Sequence, residues 1–136
     1  MAAPGRSLAA IVAGAVLLAW PVLVNAYPLL FSDTGAFLHQ TLGPMIWDKP
    51  YVYGPLLHAF HWQVTLWGPL AAQALMMAWL LHLTVRAVRG RPAPAITLAC
   101  CAGAALLTTA PFTVSLLMPD VFTAAVVLAL FLLGLA

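Results

Sequence analysis

Most residues that could take part in chemistry lie in one stretch of the sequence, 31–67. This stretch contains two of the three acidic residues, the only lysine and three of the four histidines, namely Asp33, Asp48, Lys49, His39, His58 and His61. Nearly all the remaining residues are apolar. We therefore expect any reaction or specific binding event to use this stretch.

The composition predicts that lipid surrounds most of the chain. Hydrophobic residues make up 65% of the 136 residues and charged residues only 6%, whereas a soluble domain carries about 25% charged residues. A fold of this size has too little interior to hide so much apolar surface from water. The net charge of +2 comes without the basic stripe of a nucleic-acid-binding protein, so we expect membrane lipids and no nucleic acid as partners.

The apolar runs predict an all-α membrane protein with about four transmembrane helices, which together form a single transmembrane region, 1–136. A helix needs about 20 residues to cross a hydrocarbon core of about 30 Å. The predicted spans are 8–26, 69–88, 95–110 and 120–136. Because the last run is short and has no polar flank, we expect the chain to be the N-terminal part of a longer polytopic protein.

The first run has a second interpretation. Arg6, the apolar stretch and the sequence Val24-Asn25-Ala26 also resemble a cleavable signal peptide. The run is longer than a usual signal core, which favours a retained span. In either case the residues after Ala26 reach the outer side of the membrane.

Few polar side chains interrupt the predicted spans. Gln73 and His82 are costly in lipid, so we expect both to face protein. The adjacent Cys100 and Cys101 have no C-x-x-C partner, and we interpret both as small packing residues rather than redox or metal groups.

Between the first two spans, the sequence predicts two short helices that lie in the membrane interface. The first starts near Ser32, a capping residue type, and ends at Gly43-Pro44. The second starts at Pro55, carries His58 and His61 on one face, and ends at Gly68-Pro69.

The charges predict the orientation of these elements. The four arginines, Arg6, Arg86, Arg89 and Arg91, fall on one side of the predicted spans, and all three aspartates fall on the other. The positive-inside rule then places the N-terminus in the cytoplasm and 31–67 outside the cell inner membrane.

Each charged residue of the outer side has two interpretations. Asp33 suits the positive N-terminal end of a helix, or a base that takes a proton from a substrate hydroxyl. Asp120 follows Pro119 at a helix start, or holds a divalent metal ion together with other carboxylates. Lys49 either snorkels beside interfacial aromatic residues or meets a lipid phosphate.

The histidines add a separate metal hypothesis. His58 and His61 are three residues apart and share a helix face, so with a carboxylate such as Asp120 they could bind a transition metal.

The layout resembles the N-terminal portion of the GT-C superfamily of membrane glycosyltransferases, which use polyprenyl-phosphate sugars. Asp33 stands where the family places the catalytic acidic residue of its first outer loop. The segment Asp48-Lys49-Pro50-Tyr51 resembles the Lys-Pro-Pro-Leu segment of the mannosyl- and aminoarabinose-transferring branch. Met118-Pro119-Asp120-Val121 resembles that branch's Pro-Asp motif.

The resemblance implies an inverting transfer of a sugar from a lipid-phosphate donor on the outer face of the membrane. It implies that Asp33 activates the acceptor hydroxyl, that Lys49 and Tyr51 contact the substrate, and that Asp120 binds a divalent metal or orients the acceptor. The alternative function is that of a non-catalytic membrane subunit or a transporter fragment.

Overall fold

The structure, a computed structural model, describes residues 4–40, 43 and 47–135. The regular secondary structure in these residues is α-helical apart from one isolated β-bridge, which confirms the predicted all-α fold class. The eight described helices are α1 (Pro4–Leu18), α2 (Trp20–Asn25), α3 (Ser32–Gln40), α4 (Tyr53–His61), α5 (Trp67–Arg89), α6 (Pro94–Leu107), α7 (Ala110–Ser115) and α8 (Val121–Leu135).

Helix α5 is the longest element and the centre of the bundle. It has 23 residues, close to the predicted span 69–88, and a mean hydropathy of 1.3 in its most apolar window. Among the described helices it is the one that is long and apolar enough to cross a membrane. The other apolar helices of the bundle are shorter, with 14 or 15 residues in α1, α6 and α8.

The predicted span 8–26 is found as two nearly continuous helices, α1 and α2. They are separated by Ala19 alone, whose N–H still donates to the Ala15 carbonyl at 3.0 Å. Pro21 has no N–H to continue the helical ladder. The chain therefore breaks and resumes its helix here, and α1 with α2 covers residues 4–25.

The predicted span 95–110 ends three residues early. Helix α6 stops at Leu107, and Thr108 is extended with φ −136° and ψ 173°. Pro111 lies in the first turn of α7, where a proline is tolerated because its missing N–H needs no helical partner.

The two short helices predicted between the first two spans are present, but their bounds differ from those expected. At the start of α3 the hydroxyl that bonds the backbone belongs to Thr34, not Ser32, and the predicted end at Gly43-Pro44 lies largely outside the described residues. Helix α4 begins before Pro55 and ends at His61, followed by two left-handed residues, Trp62 and Gln63. Gly68-Pro69 instead lies in the first turn of α5.

Close packing of small residues joins α1, α5 and α6. A Cβ atom placed on Gly14 would lie 2.7 Å from the Cys101 sulfur and 3.6 Å from the Ala78 Cβ. Cys101 is fully buried, as a packing residue should be, but its neighbour in α6, Cys100, is exposed. The absence of a side chain at Gly14 is thus what lets the three helices approach.

The polar side chains of α5 face protein, as the sequence predicts. His82 is buried, and its Nδ1 lies 3.0 Å from Thr97 Oγ1 on α6. Gln73 is also buried, and its amide donates to two backbone carbonyls, Val114 O at 2.6 Å and Leu116 O at 2.9 Å. These carbonyls lie where α7 ends and the chain becomes extended.

The same segment, 114–117, which comprises the last two residues of α7 and the two residues after it, is bonded from a second side by the linker between α2 and α3. Leu29 donates to Ser115 O at 3.1 Å and accepts from the Leu117 N–H at 3.0 Å, which forms a parallel β-bridge. Thr34 Oγ1 donates to Leu117 O at 3.0 Å. We call this segment the 114–117 junction; it ties α3, α5, α7 and α8 together at one end of the bundle.

The bundle has two chemically different ends. The start of α5 faces the end of α1 and α2 across a shared cavity, so α5 runs antiparallel to them, and the tight turn at Gly90 returns the chain into α6. All four arginines consequently lie at one end. The 114–117 junction and the segments that carry the three aspartates lie at the other.

We expect Gly14→Ala to destabilise the fold by about 1–3 kcal/mol, because the new methyl group overpacks against Cys101. Thermal or denaturant unfolding of the purified protein in detergent measures this change. The matched control is Gly103→Ala in α6, where an added Cβ meets nothing within 4 Å, and which should be neutral or slightly stabilising. The variant Cys101→Ala should relieve most of the Gly14→Ala cost; additive effects of the two changes would contradict the packing explanation.

Candidate functional site

An ion pair between two segments of the stretch 31–67 lies at the centre of the candidate site. Asp33 is in the first turn of α3, and Lys49 is in the segment that leads to α4. The Lys49 Nζ atom lies 2.7 Å from Asp33 Oδ2 and 3.5 Å from Asp48 Oδ2. The predicted base, Asp33, and the predicted phosphate-binding cation, Lys49, thus lie in direct contact.

Local structure explains why Asp33 carries this charge here. The first backbone N–H groups of a helix leave a partial positive charge at its N-terminus, which stabilises a carboxylate in the first turn. The Lys49 side chain is 19% exposed and that of Asp33 is 34% exposed, so water screens the pair only in part. Asp48 is fully on the surface, at 71% exposure, and contributes a longer contact.

The Lys49 ammonium is held in its charged form. Its hydrogen bond with the Asp33 carboxylate raises the pKa of Lys49, against the smaller opposing effect of desolvation, and the charges of Asp33 and Asp48 add to the rise. Below its ordinary pKa, lysine is therefore charged both in the folded and in the unfolded chain, and the pair contributes to stability throughout the neutral range. This contribution is lost as the pH rises through the raised pKa of Lys49.

Asp120 reaches the same end of the bundle through the 114–117 junction. Thr34, the neighbour of Asp33, accepts a hydrogen bond from the Phe31 N–H at 3.0 Å and donates to Leu117 at 3.0 Å. Leu117 lies three residues before Asp120, whose side chain is exposed. The segment of Asp33 and that of Asp120 are therefore directly bonded, although no hydrogen bond or ion pair joins the two carboxylates.

Tyr53 is a buried member of this region that sequence reasoning missed. Its ring packs edge-on against Phe37 at 5.0 Å and Phe122 at 5.8 Å between ring centroids. Its hydroxyl has no hydrogen-bond partner among the described residues. Burial, and then the negative charge of Asp120, raise the pKa of Tyr53 far above its ordinary range.

Tyr51, the predicted substrate contact, is half exposed on the surface close to Lys49. It is two residues from Tyr53, and the sequence contains no signal that separates the exposed tyrosine from the buried one. Only the packing of α3 against α4 does so, because it covers one face of the 51–53 segment.

An apolar cavity of about 210 Å³ opens beside Tyr53 between α4, α5 and α8. Apolar and aromatic side chains line it, among them Leu57, Phe60, Met76 and Phe122. Such walls suit a hydrocarbon segment and offer a sugar almost no hydrogen bonds.

The three histidines of the stretch 31–67 line a different cavity, of about 190 Å³. His39, His58 and His61 all border it. His61 Nδ1 accepts a hydrogen bond from the Gln63 N–H at 2.9 Å, so the neutral ring carries its proton on Nε2 and that nitrogen lacks a free lone pair for a metal.

The described residues contain no group of three or more histidine, cysteine, aspartate or glutamate side chains placed to hold a metal ion. The structure therefore does not bring His58, His61 and Asp120 into one ligand set. At the ion pair, the Lys49 ammonium already balances the charge of one of the two nearest carboxylates. The divalent metal stays a prediction.

Comparison with known proteins adds no relative. No protein-family model, curated protein or solved structure matches this chain. The resemblance to GT-C glycosyltransferases consequently stays a prediction from short sequence motifs.

We expect Tyr53→Phe to leave the free energy of unfolding at neutral pH unchanged or to raise it by up to about 1 kcal/mol, because it removes an unpaired buried hydroxyl. Above pH 10, the unfolded chain releases the Tyr53 proton while the folded chain retains it. The wild type should thus lose stability with rising pH, and the variant less so. Unfolding monitored from pH 7 to 11 measures this.

The matched control is Tyr51→Phe, which removes the same hydroxyl at an exposed position and should change neither quantity. A larger loss of stability for Tyr53→Phe than for Tyr51→Phe at pH 7 would show that the buried hydroxyl is hydrogen-bonded after all.

Proposed function

We propose that this chain is the multi-pass membrane region of a glycosyltransferase that uses a lipid-phosphate-linked sugar on the outer face of the cell inner membrane. The observation that carries the proposal is the Asp33–Lys49 pair, in which a carboxylate and an ammonium group lie 2.7 Å apart at the aspartate end of an apolar bundle. A base and a phosphate-binding cation are the two groups that such a transfer needs from the protein.

The membrane part of the proposal has support in the surface of the bundle. Large apolar side chains are exposed along α1, α6 and α8, for example Val12, Leu106, Leu107, Val127 and Leu133. A water-soluble monomer rarely exposes apolar patches of this extent. In a bilayer these faces contact lipid, with α5, the joined α1 and α2, the α6–α7 pair and α8 as four crossings.

The mechanism follows from exchange of partners at Lys49. The donor phosphate carries negative charge and displaces the Asp33 carboxylate from the ammonium group. Asp33 is then free to take the proton of the acceptor hydroxyl, and the acceptor oxygen attacks the anomeric carbon from the face opposite the phosphate. The bond between that carbon and the phosphate oxygen breaks, and its electron pair leaves on the lipid phosphate, where Lys49 stabilises the added charge.

The elements around the pair serve this arrangement. The apolar cavity beside Tyr53 offers room for the first part of the lipid tail, and the exposed Tyr51 lies beside Lys49 to contact the headgroup. Asp120, on the neighbouring segment, is placed to orient the acceptor. Each of these assignments belongs to the proposal.

A second candidate function is that of a non-catalytic membrane subunit. The observation that favours it is the neutrality of the pair, since Asp33 and Lys49 satisfy each other without any substrate. In that case the pair only fastens the 48–50 segment to α3, and any pair of compatible side chains would serve.

We expect the topology to place residue 47 outside and residue 92 in the cytoplasm. In a background with Cys100→Ala and Cys101→Ala, the variants Trp47→Cys and Pro92→Cys put single thiols at two exposed positions. A membrane-impermeant maleimide should label Trp47→Cys in intact cells and Pro92→Cys only after permeabilisation. Labelling of both in intact cells, or of neither after permeabilisation, would contradict the membrane orientation.

We expect Asp33→Asn to lower sugar transfer by about 100-fold or more, because it removes the base and keeps the shape. The assay follows consumption of a polyprenyl-phosphate sugar in membranes of the source cells that contain the full-length protein. The matched control is Asp48→Asn, the same change in the second carboxylate near Lys49, which should lower sugar transfer only a few-fold.

The double variant Asp33→Asn with Lys49→Gln separates the two candidate functions. It replaces the charged pair by a neutral pair of similar size. A purely structural pair should tolerate this exchange, with function and protein level restored relative to the single variants, whereas a catalytic pair should stay inactive at a normal protein level. Restored function would overturn the enzyme proposal.

A further inference from the structure

The end of the bundle opposite the Asp33–Lys49 pair carries all four arginines of the chain, Arg6, Arg86, Arg89 and Arg91, which we call the arginine end. The packing at Gly14 sets α1 and α5 in register, because Gly14 meets Ala78. Arg6 precedes Gly14 by eight residues and Arg86 follows Ala78 by eight, about 12 Å along each antiparallel axis. Arg6 therefore lies at the level of the last turn of α5.

The turn after α5 completes the group. Gly90 has a φ of +66°, which reverses the chain within a few residues and keeps Arg91 next to Arg89. The bond between His82 and Thr97 fixes α6 against α5 just below this turn. Arginines from two chain segments are thus held together by a packed framework.

None of the described acidic side chains lies at this end. Within residues 4–40, 43 and 47–135, the ion pairs involve only Lys49 with Asp33 and Asp48, and none of the four guanidinium groups has a carboxylate partner. The remaining acidic residue, Asp120, begins α8 at the opposite end. The described residues thus supply no counter-charge for the four exposed guanidinium groups.

Neighbouring side chains show what kind of surface the arginine end meets. Trp79 precedes Arg86 by seven residues, nearly two full turns, so both lie on one face of α5. The Trp79 side chain is 51% exposed, and Val88, between the arginines, is 66% exposed. Along α5, an exposed tryptophan is thus followed by arginines. This order is typical of the boundary between the hydrocarbon core and the lipid headgroups.

We propose that the arginine end binds the phosphate of an anionic phospholipid headgroup in the membrane leaflet opposite the Asp33–Lys49 pair. Guanidinium groups bind phosphate oxygens in a bidentate manner, and arginines from α1 and from the α5 turn can hold one headgroup between them. The proposal depends on the membrane-spanning part of the proposed function and not on sugar transfer.

Native mass spectrometry of the full-length protein in mixed micelles tests the proposal, with phosphatidylglycerol and phosphatidylcholine as competing probes. We expect the wild type to retain phosphatidylglycerol preferentially. The preference should fall on the order of fivefold for each arginine changed in Arg86→Gln, Arg89→Gln and Arg91→Gln, and it should weaken as salt rises. Micelles have no sidedness, so a variant that inserts in the wrong orientation in cells is still tested.

The matched control is Val64→Gln, which introduces the same side chain at an exposed position toward the other end and keeps all four arginines, so the preference should stay intact. Equal retention of both lipids by the wild type would overturn the proposal, as would an equal loss in Val64→Gln. Inorganic phosphate at millimolar concentration should not displace the lipid; full displacement would show a site for free phosphate instead.

A further variant pair covers the case in which the glutamine variants do not fold. Arg86→Lys with Arg89→Lys keeps both charges and removes the bidentate geometry, so retention should fall a few-fold, and unchanged retention counts against recognition by the guanidinium groups. Lipid preference together with unchanged sugar transfer in the Asp33→Asn variant would refute the enzyme proposal alone. Correct maleimide labelling without lipid preference would refute the headgroup site alone.

Discussion

The fold depends on how the backbone of the 114–117 junction is satisfied. A chain that leaves a helix inside an apolar bundle exposes carbonyl and N–H groups that have no water to bond, and each unpaired group costs free energy comparable to a lost hydrogen bond. Here Gln73 bonds two carbonyls of the junction, Leu29 bonds a third and one N–H, and Thr34 bonds the last carbonyl. A single irregular segment is thus stabilised by three distant parts of the chain.

This solution also determines where the charges lie. Because Thr34 is bonded to the junction, the N-terminus of α3 is held at a defined place, and Asp33 is fixed next to it. The segment after α3 then delivers Lys49 to that carboxylate. The position of the ion pair is a consequence of backbone hydrogen bonding in the interior, so a change at Gln73 should disturb the pair without touching it.

The sequence predicts the parts of this arrangement that local chemistry decides. Apolar runs locate α5 within two residues at its start, and the cost of polar groups in lipid correctly turns Gln73 and His82 toward protein. The bridge between Leu29 and Leu116 could not be predicted, because two apolar residues 87 positions apart carry no signal of pairing. The end of α4 was also missed, since Trp62 and Gln63 adopt left-handed conformations that their residue types do not favour. The Asp33–Lys49 pair depends on tertiary contacts of this kind, which the sequence does not indicate. The two residues therefore appear independent in the sequence.

The ion pair constrains which ligands the aspartate end of the bundle can bind, whatever reaction takes place there. The Lys49 side chain is largely covered, and the hydrogen bond with Asp33 holds its proton firmly. A neutral ligand that displaced Asp33 would leave a poorly hydrated ammonium group without a partner, which is more costly than leaving the pair intact. An anionic ligand replaces one partner by another and releases Asp33 as an acceptor. Selection for a phosphate-bearing ligand and activation of Asp33 are then the same event, because the carboxylate becomes available only when a negative charge has taken its place on Lys49.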